Sequence, residues 1–118
     1  MDNREVITKW NELICDGTAQ RIAELFNNDS YIVSVESESI ITGELEILRY
    51  FDWFVKKDPC VEITEINQID NNDTSIFNGL YSEFTMEGTN YKRFTFVIIG
   101  GKIQTLHTSI NPDPVIVG

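Results

Sequence analysis

The apolar residues of this chain change their spacing once, at Asp58-Pro59. Before that point they recur every three to four positions, which is the period of a helix. From Cys60 onward they recur every second position, which is the period of a strand. A chain patterned this way gathers its helices early and its hairpins late, and the expected class is α+β.

The first half contains three helical segments and one strand. Asp2 and Glu5 form a capping box ahead of Val6, Trp10, Leu13 and Ile14. Gly17 ends that helix, and a short second one places Ala19, Ile22, Ala23 and Phe26 on one face. Asn27-Asn28-Asp29 reads as a turn, residues 31–35 as a strand, and residues 37–39 as a polar bend. Ile40 and Ile41 lead into Thr42-Gly43. Glu44 and Glu46 then open a third helix, where negative charge suits the dipole. Leu45, Leu48, Phe51 and Val55 form its stripe, widened by Ile47, Tyr50 and Phe54, so it is covered on more than one side.

The second half alternates. Val61, Ile63 and Ile69 lie on strand faces before a turn at Asp70-Asn71-Asn72-Asp73. Residues 75–87 form a long strand, Gly88-Thr89-Asn90 reverses it, and residues 91–99 form the next. Gly100-Gly101 is a hairpin loop, residues 102–110 the last strand, and Asn111-Pro112-Asp113-Pro114 ends regular structure.

Size and charge narrow the partners. The 118 residues suit one domain spanning 1–118, and the 42% hydrophobic content suits a real core. A net charge of −10 spread over both halves repels phosphate backbones and acidic membranes, so neither nucleic acid nor membrane is an expected partner. No apolar run reaches the roughly 20 residues that span a bilayer. No basic leader precedes an apolar run at Met1-Asp2-Asn3-Arg4-Glu5, which fits a cytoplasmic location. Cys15 and Cys60 can pair, but one pair is weak evidence for an oxidised scaffold, and two reduced thiols are expected.

Four strings, in order, resemble the NTF2-like superfamily, the cone fold of ketosteroid isomerases, SnoaL-like polyketide cyclases and kinase-association domains. They are Trp10; Ile41-Thr42-Gly43 followed by Tyr50-Phe51-Asp52-Trp53-Phe54; Lys92-Arg93-Phe94-Thr95-Phe96-Val97; and Leu106-His107-Thr108-Ser109 followed by Pro112. In the last string Leu106 replaces a family histidine and Thr108 a family serine. The resemblance implies three N-terminal helices packed on a curved mixed, largely antiparallel sheet, a cavity between them, and a homodimer through the sheet. It fixes no reaction, because one fold hosts many functions.

Candidate residues follow from strand parity. In the last strand His107 shares a face with Ile103, Thr105 and Ser109. If that face lines the cavity, His107 is placed to act as an acid/base and Ser109 to touch a ligand. His107 is the single histidine, and no ligand-spaced Cys/His cluster accompanies it, so no metal or other cofactor is expected. Arg93 and Thr95 share a strand face. Arg93 either binds a carboxylate ligand or pairs with an acid such as Glu83. Isomerase chemistry needs a carboxylate base and hydroxyl donors, for which Asp52, Tyr31 and Tyr81 are the candidates. Trp10, Phe51 and Phe54, with Tyr31, Trp53 and Tyr81, are either core or the wall of an apolar pocket. Three functions remain open: a homodimeric domain binding a small apolar or weakly acidic ligand, an isomerase, cyclase or dehydratase using His107, or an oligomerisation module.

Overall fold

Helix α1 (Asn3–Asp16) starts where the capping box predicts: Asp2 Oδ1 accepts from the Glu5 amide at 2.8 Å, and Glu5 Oε1 accepts from the Asp2 amide at 3.2 Å. In this computed structural model, residues 1–35, 37 and 39–111 are described. Pro112, Asp113 and Pro114, and with them the proposed end of regular structure, lie outside the described residues. Helix α1 buries Val6, Ile7, Trp10, Leu13 and Ile14 on one face. Helix α2 (Ala19–Ala23) is capped by Thr18, whose hydroxyl accepts from the Arg21 amide. It stops three residues before Phe26, which belongs to the next strand rather than to the helical face expected for it.

Strand β1 (Phe26–Val33) absorbs Asn27-Asn28-Asp29, expected as a turn, as an irregular stretch. The Ser30 hydroxyl holds it in place: it donates to the Ile103 carbonyl at 2.6 Å and accepts from the Asn27 amide at 2.8 Å. Strand β2 (Ile41–Thr42) pairs antiparallel with β1. Gly43, at φ 88°, turns the chain directly into α3 (Glu44–Val55). That helix buries Ile47, Phe51 and Phe54. Leu45, expected on its apolar stripe, is exposed.

The remaining strands are β3 (Cys60–Asn71), β4 (Thr74–Thr85), β5 (Gly88–Ile99) and β6 (Lys102–Ile110). The six-stranded sheet runs β2-β1-β6-β5-β4-β3. Every pairing is antiparallel except β1 with β6. This is the α+β arrangement expected from the period change, with three helices on a mixed, largely antiparallel sheet. One face of the sheet carries Ile32, Val61, Phe77, Phe94, Phe96 and Leu106, all buried with the helical faces in a single apolar core. Burying each large side chain contributes about 1.5–3 kcal/mol.

Two bulges set what faces inward. On β6, Val97 pairs with Thr105 while Ile98 pairs with Ile103, so Gln104 is an extra residue. On β3, Ile63 opposes Tyr81 while Glu65 opposes Leu80, so Thr64 is extra. Gly79 on β4 sits against this second bulge, and a Cβ there would collide with the Glu65 carbonyl. Backbone on both sides leaves little room to give. Gly79→Ala will therefore lower stability by about 3 kcal/mol, the upper end for overpacking, read as a drop in the urea midpoint.

The expectation of two free thiols is corrected. Cys15, at the end of α1, and Cys60, at the start of β3, form a disulfide. The helix-to-strand packing brings their Cα atoms to 4.1 Å. Asn11 supports the junction, donating from Nδ2 to the Val61 carbonyl at 2.9 Å. Spacing in sequence could not show this, because the partners are 45 residues apart.

Candidate functional site

Between the helices and the sheet lies a small enclosed cavity of about 10 Å³, room for one water-sized group. Trp10 of α1 and Tyr50, Phe51 and Phe54 of α3 form its helical walls. Tyr81 and Glu83 of β4, Lys92 of β5 and Leu106 and Thr108 of β6 form the sheet side, with Ile32 and Val61 at the edges. The aromatic packing is continuous: Trp10 meets Phe96 edge-on at 5.0 Å and lies 6.0 Å from Tyr81, which stacks on Phe94 at 5.7 Å.

Inside this apolar shell is an ion pair. Lys92 Nζ donates to Glu83 Oε1 at 2.9 Å, and both side chains are 3% exposed. Burial pushes the Lys92 ammonium down to about 8. Burial also raises the Glu83 carboxyl, against a hydrogen bond with Asn90 and the Lys57 charge. Two tyrosine hydroxyls complete the polar set. Tyr50 is pushed up to about 12, chiefly by burial and partly by Glu83, against its 2.9 Å hydrogen bond with Ser34. Burial carries Tyr81 well above its ordinary value, with Glu83 and Tyr50 adding to the shift. Both phenols are thus neutral near pH 7 and keep their protons as donors. Two further wall atoms, Trp10 Nε1 and Thr108 Oγ1, are buried and have no hydrogen-bond partner among the described residues.

Tyr50 also lines a second, open pocket of about 320 Å³. Ile41 and Trp53 give it apolar sides, and Ser37, Glu46 and Arg49 a polar rim. Lys57 Nζ sits 4.2 Å from the Trp53 ring centroid and 3.2 Å from Glu87 Oε1, which ties the end of α3 to the β4–β5 turn. Among the described residues no three His, Cys, Asp or Glu side chains come together as a metal site. No described helix is long and apolar enough to cross a membrane.

The structure sorts the candidates cleanly. Trp10, Phe51, Phe54 and Tyr81 line the cavity. His107 does not: it is exposed on the outer face of the sheet, opposite Thr95 and Val33. Thr105 and Ser109 share that side. The physical reason is the Gln104 bulge. Ile103 is buried, and strict alternation from it would carry His107 inward, but the extra residue inverts parity and turns Leu106 and Thr108 in instead. Tyr31 lies outward on β1 and is 40% exposed. Arg93 and Thr95 face outward on β5. Arg93 reaches Asn111 Oδ1 at 3.4 Å, and Glu83 pairs with Lys92 rather than with Arg93. Asp52 is on the solvent side of α3, 3.6 Å from Lys56.

Lys92, Tyr50 and Thr108 complete the site and were not among the candidates. A signal for Lys92 existed. It stands two residues before Phe94 in the same row, as Glu83 stands two after Tyr81, and the β4–β5 register sets Lys92 opposite Tyr81 and so diagonal to Glu83.

No protein-family model matches the sequence, and no curated protein matches it. Solved structures do match. A Xanthomonas campestris protein provisionally assigned as a calcium/calmodulin dependent protein kinase II association domain is 22% identical, with a TM-score of 0.83 over 93% of this chain and 86% of that one. A Cytophaga hutchinsonii NTF2-like protein of unknown function is 12% identical, with a TM-score of 0.72 over 97% of this chain and 94% of that one. A Catenulispora acidiphila protein of ketosteroid isomerase-like fold, solved in complex with trimethylamine, is 15% identical, with a TM-score of 0.70 over 89% of this chain and 84% of that one.

Proposed function

Given that this chain has the NTF2-like cone fold, we propose that it is a small single-domain protein that binds a small, largely apolar molecule in the pocket in front of Tyr50. The observation that carries this is the position of Tyr50. Tyr50 lines both the open pocket of about 320 Å³ and the small enclosed cavity. The open pocket has the size of small-ligand sites and the usual composition, apolar walls with a few polar groups at the rim. The Catenulispora acidiphila relative holds a small molecule in the same fold, which supports the reading. No reaction is assigned to this chain.

The test is a panel of small apolar compounds followed by Trp53 fluorescence and by thermal melting. A ligand present at one hundred times its Kd adds about 2.7 kcal/mol and raises Tm by roughly 10 °C. A panel that neither changes Trp53 emission nor moves Tm overturns the proposal.

We further propose that two copies pair through the outer face of the sheet. Tyr31, Ile76, Phe84 and Tyr91 all stand at least 36% exposed there, an apolar set suited to a partner. Sedimentation equilibrium at micromolar concentration is expected to return twice 13.5 kDa. A single-chain mass counts against the pairing.

A further inference from the structure

One end of the sheet is the two-residue strand β2, and the other is the twelve-residue strand β3, which pairs with β4 alone. The start of the β3 edge is covered. The Val61 amide points off it to Cys15 Sγ at 3.3 Å, and the Val61 carbonyl accepts from Asn11 Nδ2 at 2.9 Å. Alternation, with the one-residue shift at Thr64, turns the backbone of Ile63, Ile66, Gln68 and Asp70 to the same side. No described backbone group bonds to them there. Helix α1 leaves this stretch open because it crosses the sheet obliquely. Its start is tied to β4, where Asn3 Nδ2 donates to Ser75 Oγ at 3.0 Å, and its end reaches Val61. Between helix and strand runs a groove of about 360 Å³, lined by Ile7, Ile63 and Ile66 together with Arg4, Thr8 and Glu12.

An open edge of this length is a template for another strand, and charge decides which strand. Edges are commonly guarded by lysine or proline, and residues 60–71 contain neither. They carry Glu62, Glu65 and Asp70, and Glu12 stands on the facing helix. The basic groups nearby are engaged: Arg4 donates to Gln68 Oε1 at 3.3 Å, and Lys9 lies 3.9 Å from Glu12. A second copy would bring the same acids and a net charge of −10 to this edge, so self-pairing is disfavoured. We propose that the β3 edge from Ile63 to Asp70 is a docking site for an extended basic segment of another protein, one that alternates apolar and basic residues and adds to the sheet as a further strand. Such a segment has the period of the strand it joins. Its apolar residues lie on the helix side with Ile63 and Ile66, and its basic residues lie on the outer side with the exposed Glu62 and Glu65. The site shares no residue with the pocket lined by Tyr50 and Trp53, so it stands apart from the ligand-binding reading.

The probe is the peptide Lys-Val-Lys-Ile-Lys-Val-Lys, blocked at both ends and titrated into ¹⁵N-labelled protein. It is expected to shift the amides of β3 and to slow hydrogen exchange at Ile63, Ile66, Gln68 and Asp70 about tenfold. A counterpart with Glu in place of Lys should bind at least about tenfold more weakly. Glu62→Lys combined with Glu65→Lys, both at exposed positions, should weaken the Lys peptide about tenfold and leave the fold intact. Two N-methylated peptides, covering the two alternate sets of nitrogens, separate strand addition from charge attraction. The set facing β3 should lose about tenfold in affinity, and the other should keep it. No binding by the Lys peptide overturns the proposal. Equal binding by both methylated peptides and their parent overturns strand addition. Equal binding by the Glu peptide overturns the basic partner, and slowed exchange that spares those four amides overturns the location.

Discussion

Lys92→Met is expected to lower stability by about 3–5 kcal/mol, because it leaves the Glu83 carboxylate, 3% exposed, buried without its cation. Glu83→Gln combined with Lys92→Met should recover most of that loss. The double variant removes both desolvated charges and leaves a similar volume. A double-mutant cycle in urea measures the coupling, and a double variant as unstable as the single one would show that the pair's charges are not the cause.

The same pair predicts a pH dependence. Lys92 titrates at about 8 when folded against 10.5 ordinarily, so the unfolded chain holds more protons across that window and stability climbs as pH rises through it. Glu83 is raised, so the folded chain holds more protons above 4.5, and stability falls as pH rises from there through the raised value. The pair's contribution is therefore at its least between the raised Glu83 value and about 8, where Lys92 begins to titrate. Relative to the double variant, the native chain should gain on the order of 1–2 kcal/mol between pH 7 and pH 9.5. A flat difference over that range would refute the assignment to Lys92.

Removing the Cys15–Cys60 link should cost about 4 kcal/mol, the loop-closure value for partners 45 residues apart. Cys15→Ser with Cys60→Ser should melt well below the native chain, and a reducing agent should bring the native chain down to the same point. If reduction leaves the urea midpoint of the native chain unchanged, the bond is not contributing in solution. Cys60 is exposed, so a soluble dithiol can reach it without prior unfolding.

The fold was legible where local pattern decides it. The capping box at Asp2 and Glu5 and the Gly100-Gly101 loop are short-range signals, and each is where the structure has it, while the turn expected over 70–73 closes on Asn72 and Asp73 alone. Phe26 and Asn27-Asn28-Asp29 were misread because long-range pairing with β6 overrides their local preference, with Ser30 holding the irregular stretch in place. Trp10, Phe51, Phe54 and Tyr81, readable from the sequence as either core or pocket wall, are large, buried and arranged around the enclosed cavity. The polar centre was not. A single inserted residue at Gln104 inverts which side of β6 faces in, and alternation carries no mark of an insertion. Parity in the sequence put His107 and Ser109 in the cavity only if their face lined it, and the structure turns Leu106 and Thr108 in instead. Lys92 was passed over because a lone lysine in a strand usually reaches solvent.

Strand β6 lies between β1 and β5, although it follows every other described element in the chain. Until it arrives there are two separate sheets, the β1–β2 ribbon and the β3–β4–β5 meander, each with an open edge. As the chain emerges during synthesis, neither piece can complete its hydrogen bonding until residue 110 is free. The wait is governed by a parallel pairing that spans most of the sequence, Phe26 with Ile103, and contacts of that range form slowly. The interval before β6 inserts is thus when this chain is most exposed to pairing with a neighbour through β1 or β5.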